Sequence, residues 1–488
     1  MSWVGPERKI EISDGEFYLS EIGLGFEELK NPDWMMEMSN HFEQSHRGTR
    51  RWIYLTGLQS VTTPLPPINY VGSPIRSKLN FLLKGQAGGG KGFIIHSIHS
   101  LCPNVHHLGI VTSAALVGGI NKKGEWVPGE AYWARYGILT ITELFQTLRS
   151  GEFYESTIFD LNEIAEYPHR ISKSIVTGRI SDMASTMQLY DGVEFPSFNK
   201  FTYECPLAVV AGVPEMSLRD LMTKVQEGFV SRFIEIPISY TRSEAEQGLD
   251  TWWDNVLVPT TTDESELLQK FRRCFYVLYG ANFGILKDLY NVEPITDFRL
   301  PIEHRETLES ETKRALKDSW NLVEESVKEE KLMSDEENPS SPPPILFREC
   351  GDIIRICVAD ASSRRFSGTE IDPGIIEIDD RAVKIALEYL NMIVETRVHT
   401  LIEAKRIMRF RIAIRPMLLR AEYDLLCQQG EQGMPEDSFV KAIVTVLGVR
   451  LERAKKTVEK LKSSGLVVEK EGKLIAKIYS FKPKGMWV

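Results

Sequence analysis

Five glycines fall within eight residues at Gly85-Gln86-Ala87-Gly88-Gly89-Gly90-Lys91-Gly92, between the apolar run Leu79–Leu83 and the segment Phe93-Ile-Ile-His-Ser-Ile-His. A strand-sized run, a glycine bend and a helical pattern in that order restrict the chain to an α/β arrangement around the bend. Without Cβ atoms, backbone N–H groups can converge on phosphate oxygens, and the N-terminus of the following helix adds positive potential. Lys91 is spaced to reach β- and γ-phosphates, and Phe93 closes the segment. The bland alternative is a glycine-rich turn of any α/β protein; the flanking strand and helix favour the phosphate reading.

Further strand-sized runs follow at 107–113, 137–142, 206–213 and 233–238, with helical patterns between them. Alternation of this kind predicts a largely parallel sheet with helices on both faces. At 488 residues the chain exceeds one hydrophobic core. The expected division is a small leader over 1–75, containing strand-like runs at 8–12 and 51–58, then a core over 76–240. A helical region follows over 241–410, without strand signals in 262–333 and with a Ser/Pro-rich linker near 328–344. The tail, 415–488, reads helix, helix, helix and two short strands around Glu471-Gly472, the order of a winged helix-turn-helix.

Composition sets outer limits. With 42% hydrophobic and 26% charged residues, the chain is ordinary globular material. It offers no apolar stretch long enough for a membrane helix and no signal-peptide pattern in its first 25 residues, so a cytoplasmic, DNA-associated location is expected. The six cysteines are scattered without a C-x-x-C pair, which predicts thiols rather than disulfides or a zinc ribbon. The net charge is −10, yet residues 415–488 hold 14 Lys/Arg against 9 Asp/Glu, a local +5. Only part of the chain is therefore expected to face nucleic acid.

The segment SAALVGGINKKGEWVPGEAYWARYGILTITEL (113–144) resembles the stretch between the Walker A and Walker B motifs of the minichromosome maintenance (MCM) helicases. GFVSRFIEIPI (228–238) looks like that family's Ser-Arg-Phe motif. RECGDIIRICVADASSRR and EIDDRAVKIALEYL are similar to its lid helices. The resemblance spans about residues 76–480. It implies a P-loop AAA+ ATPase core with a helical lid and a C-terminal winged helix, using ATP and Mg²⁺ and assembling as a homo-oligomeric, hexameric ring around DNA. By position, Lys91 is the Walker A lysine, Glu143 the Walker B glutamate, Arg232 the arginine finger acting in trans, and Arg348 the sensor 2 arginine.

The sequence also departs from that pattern. Gly92 replaces the usual Mg²⁺-binding hydroxyl, as in adenylate-kinase-like loops; Thr142 stands for the Walker B Asp, and Val213 falls near the sensor 1 Asn. Asp160, in FDLNE, is a substitute candidate for Mg²⁺. A hairpin turning at Asp191-Gly192 lies where the family carries a DNA-contacting lysine, with Lys200 and Lys173 only as neighbours. In the tail, Arg450, Arg453, Lys456 and Lys473 are candidate DNA contacts, against the alternative of a solvated helix face. His96, His99, Cys102, His106 and His107 invite a metal reading, but their spacing fits packing better. The expected function is an ATP-driven DNA helicase acting in replication. The alternatives are an ATP-gated DNA-binding scaffold with little hydrolysis and, from the Gly-Lys-Gly loop, a nucleotide kinase.

Overall fold

The computed structural model describes residues 2–476 except 6–7, 12–14, 46–47, 71–72, 86–88, 110–111, 143, 145–153, 167–168, 175–189, 191, 214–231, 239–241, 256–261, 285, 330–345, 369–373, 415–419, 448–449 and 464–466. The expected linker at 328–344 therefore lies largely outside the described residues. Two compact units are formed, one from 1–320 with 341–397, the other from 321–340 with 398–488. The expected leader, core and most of the helical region thus pack as one body.

The first unit is built on five parallel strands: β1 Phe81–Lys84, β2 Val105–Leu108, β3 Ile138–Ile141, β4 Ala208–Val213 and β5 Ile234–Pro237. Their order is β5-β1-β4-β3-β2. Every residue of β1, β3 and β4 is buried, as expected for a sheet covered on both faces. Four of the strands occupy apolar runs legible in the sequence; β2, Val-His-His-Leu, lies mostly ahead of the run expected at 107–113 and overlaps it only at His107 and Leu108.

The order has a geometric consequence. The connection leaving β1 travels three places to β2, whereas the connections from β2, β3 and β4 all travel back the other way. Right-handed crossovers place those two sets on opposite faces. The chain therefore diverges at the carboxyl ends of β1 and β4, which opens a crevice there.

Helix α1, Arg50–Thr62, includes the run expected as a strand over 51–58. Ile53 through Thr62 are all buried, so no polar stripe marks the helical period. A short apolar run buried all round is ambiguous between helix and strand. Its Gln59 Nε2 donates to the Leu79 and Val209 carbonyls, both at 3.0 Å, tying α1 to the chain just before β1 and to β4. Helix α2, Lys91–His99, follows the glycine bend, and α3, Tyr154–Ala165, lies between β3 and β4. Within 262–333 two long helices form, Thr262–Asn282 and Ile302–Glu329. Contrary to expectation, a short strand, Asp297–Arg299, also occurs there and pairs in parallel with Ile375–Glu377.

Helix α4, Leu346–Ser363, and helix α5, Asp380–Ile414, as far as Arg397, complete the first unit. They reach the edge strand β5 through buried charge. Arg397 Nη1 donates to Glu235 Oε1 at 2.6 Å and its Nε donates to Glu349 Oε1 at 2.8 Å. Glu349 Oε2 is buried with no hydrogen-bond partner among the described residues. Burial, reinforced by nearby Asp352 and opposed by Arg397, pushes the Glu349 carboxyl from 4.5 up to about 7.

The second unit holds helices Arg420–Cys427, Glu436–Leu447 and Leu451–Ser463 beside a three-stranded antiparallel sheet. Its core includes Leu426, Phe439, Ile443, Ala454, Val458, Leu461 and Leu474. The hairpin Val467–Lys470/Lys473–Ala476 turns through Glu471 and Gly472, both at positive φ (54° and 72°). This is the two-residue turn that Glu-Gly suggested.

The raised Glu349 carboxyl makes stability depend on pH. Between roughly 4.5 and 7 the folded chain binds more protons than the unfolded one, so this contribution is full at low pH and is lost as pH rises. Glu349→Gln removes the titration. Its thermal midpoint should therefore gain on the parent's as pH rises from about 5 to 8; parallel profiles would refute the assignment.

Candidate functional site

The glycine bend stands at the carboxyl end of β1, beside the end of β4. Gly85 N–H donates to the Val213 carbonyl at 3.2 Å, and Ile238 N–H donates to the Lys84 carbonyl at 2.6 Å, fastening the bend between β4 and β5. Gly85 is demanded by this packing, because a Cβ there would lie 2.7 Å from the Ile238 carbonyl oxygen. Gly90 precedes α2 at φ +79°, a conformation L side chains resist. Lys91 Nζ donates to the Gly85 carbonyl at 2.7 Å, so the ammonium reaches back across the bend. Phe93 packs against Phe42, with ring centroids 6.3 Å apart. Gln86, Ala87 and Gly88 lie outside the described residues.

Gly92 differs from its neighbours. The nearest atom to a Cβ built there is His96 Cδ2 at 4.0 Å. Among the described residues nothing crowds this position, so packing against them does not require glycine there.

Thr142 follows β3 and lies against β4, where a Cβ on Gly212 would come within 2.4 Å of its carbonyl oxygen. It therefore borders the same crevice. Val213, at the end of β4, is fully buried and apolar, so it has no polar group with which to orient water. Glu143 lies outside the described residues.

Asp160 on α3 is engaged elsewhere. Its Oδ2 accepts from Ser113 Oγ at 2.6 Å and from Lys173 Nζ at 2.5 Å. Burial raises its carboxyl above the ordinary range while those two donors pull it down. Mg²⁺ at Asp160 would have to displace Lys173. The metal reading of the histidines finds no support, as no group of three or more His, Cys, Asp or Glu among the described residues could hold a metal ion. His99 is buried against Gln59 and driven down to about 3 by burial. His106 bonds Glu130 and Asn104, and His107 bonds Thr140. All six cysteines are free.

Arg232 immediately precedes β5 and so sits at the amino end of the sheet, across its height from the glycine bend of the same chain. The strand is at the sheet edge. Its Nε is 2.7 Å from Glu166 Oε1, and the side chain keeps 20% exposure. Two further guanidiniums hold the backbone: Arg76 donates to the Arg232 carbonyl, and Arg397 Nη2 donates to the Phe233 carbonyl at 2.6 Å. Arg348 lies in the first turn of α4, next to buried Glu349; its side chain lies outside the described residues. Sequence reading missed Glu166, Arg76 and Arg397, since no periodicity or motif links positions so far apart in the chain.

Most of the first arm and Asp191 of the hairpin expected at Asp191-Gly192 lie outside the described residues, and the described residues form a further hairpin just after it. Strands Val193–Ser197 and Lys200–Glu204 pair with Ser197 opposite Lys200, so the described turn is Phe198-Asn199. Lys200 thus opens the returning strand beside the tip, rather than being a distant neighbour, and Phe198 is 49% exposed there. Lys173 is held by Asp160 and Ser113.

In the second unit, Arg450, Arg453, Lys456 and Lys473 are all exposed. Lys462 is instead committed to Glu436 at 2.6 Å and Glu469 at 3.1 Å. Among the described residues no helix is long and apolar enough to cross a membrane. Compared with known proteins, the chain matches no family model and no curated sequence.

The contrast between the glycines is measurable. Gly85→Ala should lower stability by about 1–3 kcal/mol through overpacking, whereas Gly92→Ser should stay within about 0.5 kcal/mol of the parent. Denaturant midpoints decide between them, and equal losses would overturn the packing argument.

Proposed function

We propose that this chain is an ATP-dependent DNA motor with a P-loop AAA+ core, resembling the MCM helicases and working as a hexameric ring. The observation that carries this reading is the placement of Lys91 and its glycine bend at the carboxyl end of an interior strand, where the sheet changes direction. Ligands of open α/β sheets bind at such points. A triphosphate fits there: the Lys91–Gly85 hydrogen bond exchanges for one to a phosphate oxygen, and α2 presents its N-terminus.

Arg232 supports the oligomeric part of the reading. It projects from the end of the sheet opposite its own glycine bend and on an edge strand, so any phosphate it serves belongs to another copy. Glu166 would release it on assembly. Phosphoryl transfer calls for cations around the γ-phosphate and an oriented water. Lys91 supplies the cation in cis, Arg232 in trans, and Glu143 is assigned the water. Mg²⁺ bound with the nucleotide would have few protein ligands, and would neutralise phosphate charge while retaining several waters.

The second unit has the helix and strand order of a winged helix, with cations exposed on its third helix and its hairpin. Together with Lys200 at the hairpin tip, these are the proposed DNA contacts. A second reading, an ATP-gated scaffold with slow hydrolysis, is favoured specifically by buried Val213 and by Gly92.

Turnover with single-stranded DNA separates the two. In the motor reading Lys91→Ala abolishes ATP binding, Glu143→Gln keeps binding and abolishes turnover, and Arg232→Ala keeps binding but lowers turnover by about 10³-fold or more. ATP binding without DNA-stimulated turnover in the parent protein would select the scaffold. On the DNA side, Arg453→Glu and Lys456→Glu should weaken binding and reduce its salt slope by about one for each phosphate no longer neutralised. An unchanged slope removes this face from the interface.

A further inference from the structure

The carbonyls of Arg232 and Phe233 come just before β5 joins β1. Ladder pairing starts at Ile234, opposite Phe81. The Ile234 amide is held by the Asn80 carbonyl at 2.8 Å, but the two preceding carbonyls are held by side chains. Arg76 takes the first and Arg397 the second. The Arg397 guanidinium and the backbone of Arg76 are in turn held by the helical region. Arg355 of α4 donates through Nε to the Arg76 carbonyl at 3.1 Å and pairs with Asp352. Arg397 of α5 is pinned by Glu349 of α4 and by Glu235 of β5.

Burying this much charge is costly and is a poor route to stability alone. A planar guanidinium with three acceptors fixed around it does, however, define position sharply. Here the third acceptor is the backbone one residue from Arg232.

We infer that Arg397, seconded by Arg76, is a positioning residue for Arg232. Through Glu349 and Arg355, it makes the aim of Arg232 toward a neighbouring copy depend on helix α4. This deepens the ring ATPase reading and rests on it. The same helix carries Arg348 beside Glu349, so a shift of α4 in response to nucleotide in one subunit would move the arginine offered to the next. Arg397 touches no phosphate in this scheme; it acts through the backbone of residues 232–233.

Two arms test this. In the first, hydrogen exchange of the full-length protein is followed with Arg397→Lys, which keeps the charge and loses the fork, and with Arg76→Gln as an independent variant. Amides at 233–236 should exchange at least tenfold faster, with β3 and β4 protected as in the parent. Unchanged exchange at 233–236 in whichever variant is folded by circular dichroism overturns the inference.

The second arm mixes subunits. Arg397→Lys alone should bind ATP normally and turn over at least tenfold more slowly. Mixing it with Lys91→Ala subunits, which hydrolyse nothing themselves but carry an intact clamp, should restore part of that turnover. Normal binding with no restoration shows that Arg397 acts within its own site and overturns the trans scheme. If the parent protein shows no turnover at all, the ring ATPase reading fails, and the exchange arm still decides the clamp.

Discussion

The structure depends on one pairing constraint: β1 is hydrogen-bonded in parallel to both β4 and β5. A parallel strand with two neighbours cannot sit at an edge, and its connection must leave over one face while later strands return over the other. The glycine bend is thereby fixed at the carboxyl edge, between strands that fill from both sides. The same constraint sends the residue before β5 to the opposite edge. Lys91 and Arg232 are therefore kept apart within one chain, which is why the proposed reading brings them together only across copies.

The second constraint is electrostatic. Glu235 lies on an otherwise apolar strand and is 2% exposed; alone it would be untenable in a low-dielectric interior. Arg397 neutralises it and also draws in Glu349, whose second carboxylate oxygen finds no partner among the described residues. An apolar substitute would pack the same edge with less electrostatic penalty. What the charged version adds is direction: a hydrogen-bond fork locates α4, α5 and the start of β5 relative to one another, which interchangeable methyl groups do not.

How much of this was legible in the sequence varies with the kind of signal. Four of the five strands were, because buried parallel strands are short continuous apolar runs bounded by polar or glycine residues, as in PLAVVAGV; β2, carrying two histidines at the sheet edge, starts ahead of its expected run. So was the hairpin at Glu471-Gly472. Helix α1 was not, since burial on all sides erases the polar stripe by which a helix is recognised. The turn at Phe198-Asn199 was not legible either, because that pair carries no strong turn signal, and only the pairing of Ser197 with Lys200 sets Lys200 beside a hairpin tip. The clamp was invisible because Arg397 and Phe233 are 164 positions apart, joined only by tertiary packing. Among the candidate site residues, the sequence located the bend and Arg232 correctly relative to strands, while the partners of Asp160, Arg232 and Lys173 emerged only from the folded chain.

The departures at Gly92, Thr142 and Val213 share a physical character. Each removes a group that would hold or orient something small, a metal ion or a water. None removes a group that meets phosphate charge: Lys91 and the glycine bend remain, and the bend is constrained by contacts at Gly85 that a larger residue would break. Gly92 meets no such constraint among the described residues, where the nearest atom to an added Cβ is 4.0 Å away. In the ring ATPase we propose, a missing hydroxyl at such a position would mark relaxed demand on metal coordination, not a demand of the fold. That site would derive its affinity from backbone donors and two guanidinium or ammonium charges. Mg²⁺, which keeps much of its water shell and leans on nucleotide phosphates, would need fewer protein ligands there than is usual. Binding would then be robust to these substitutions, and the burden of organising the transition state would move toward the neighbouring copy and the residues that aim its arginine.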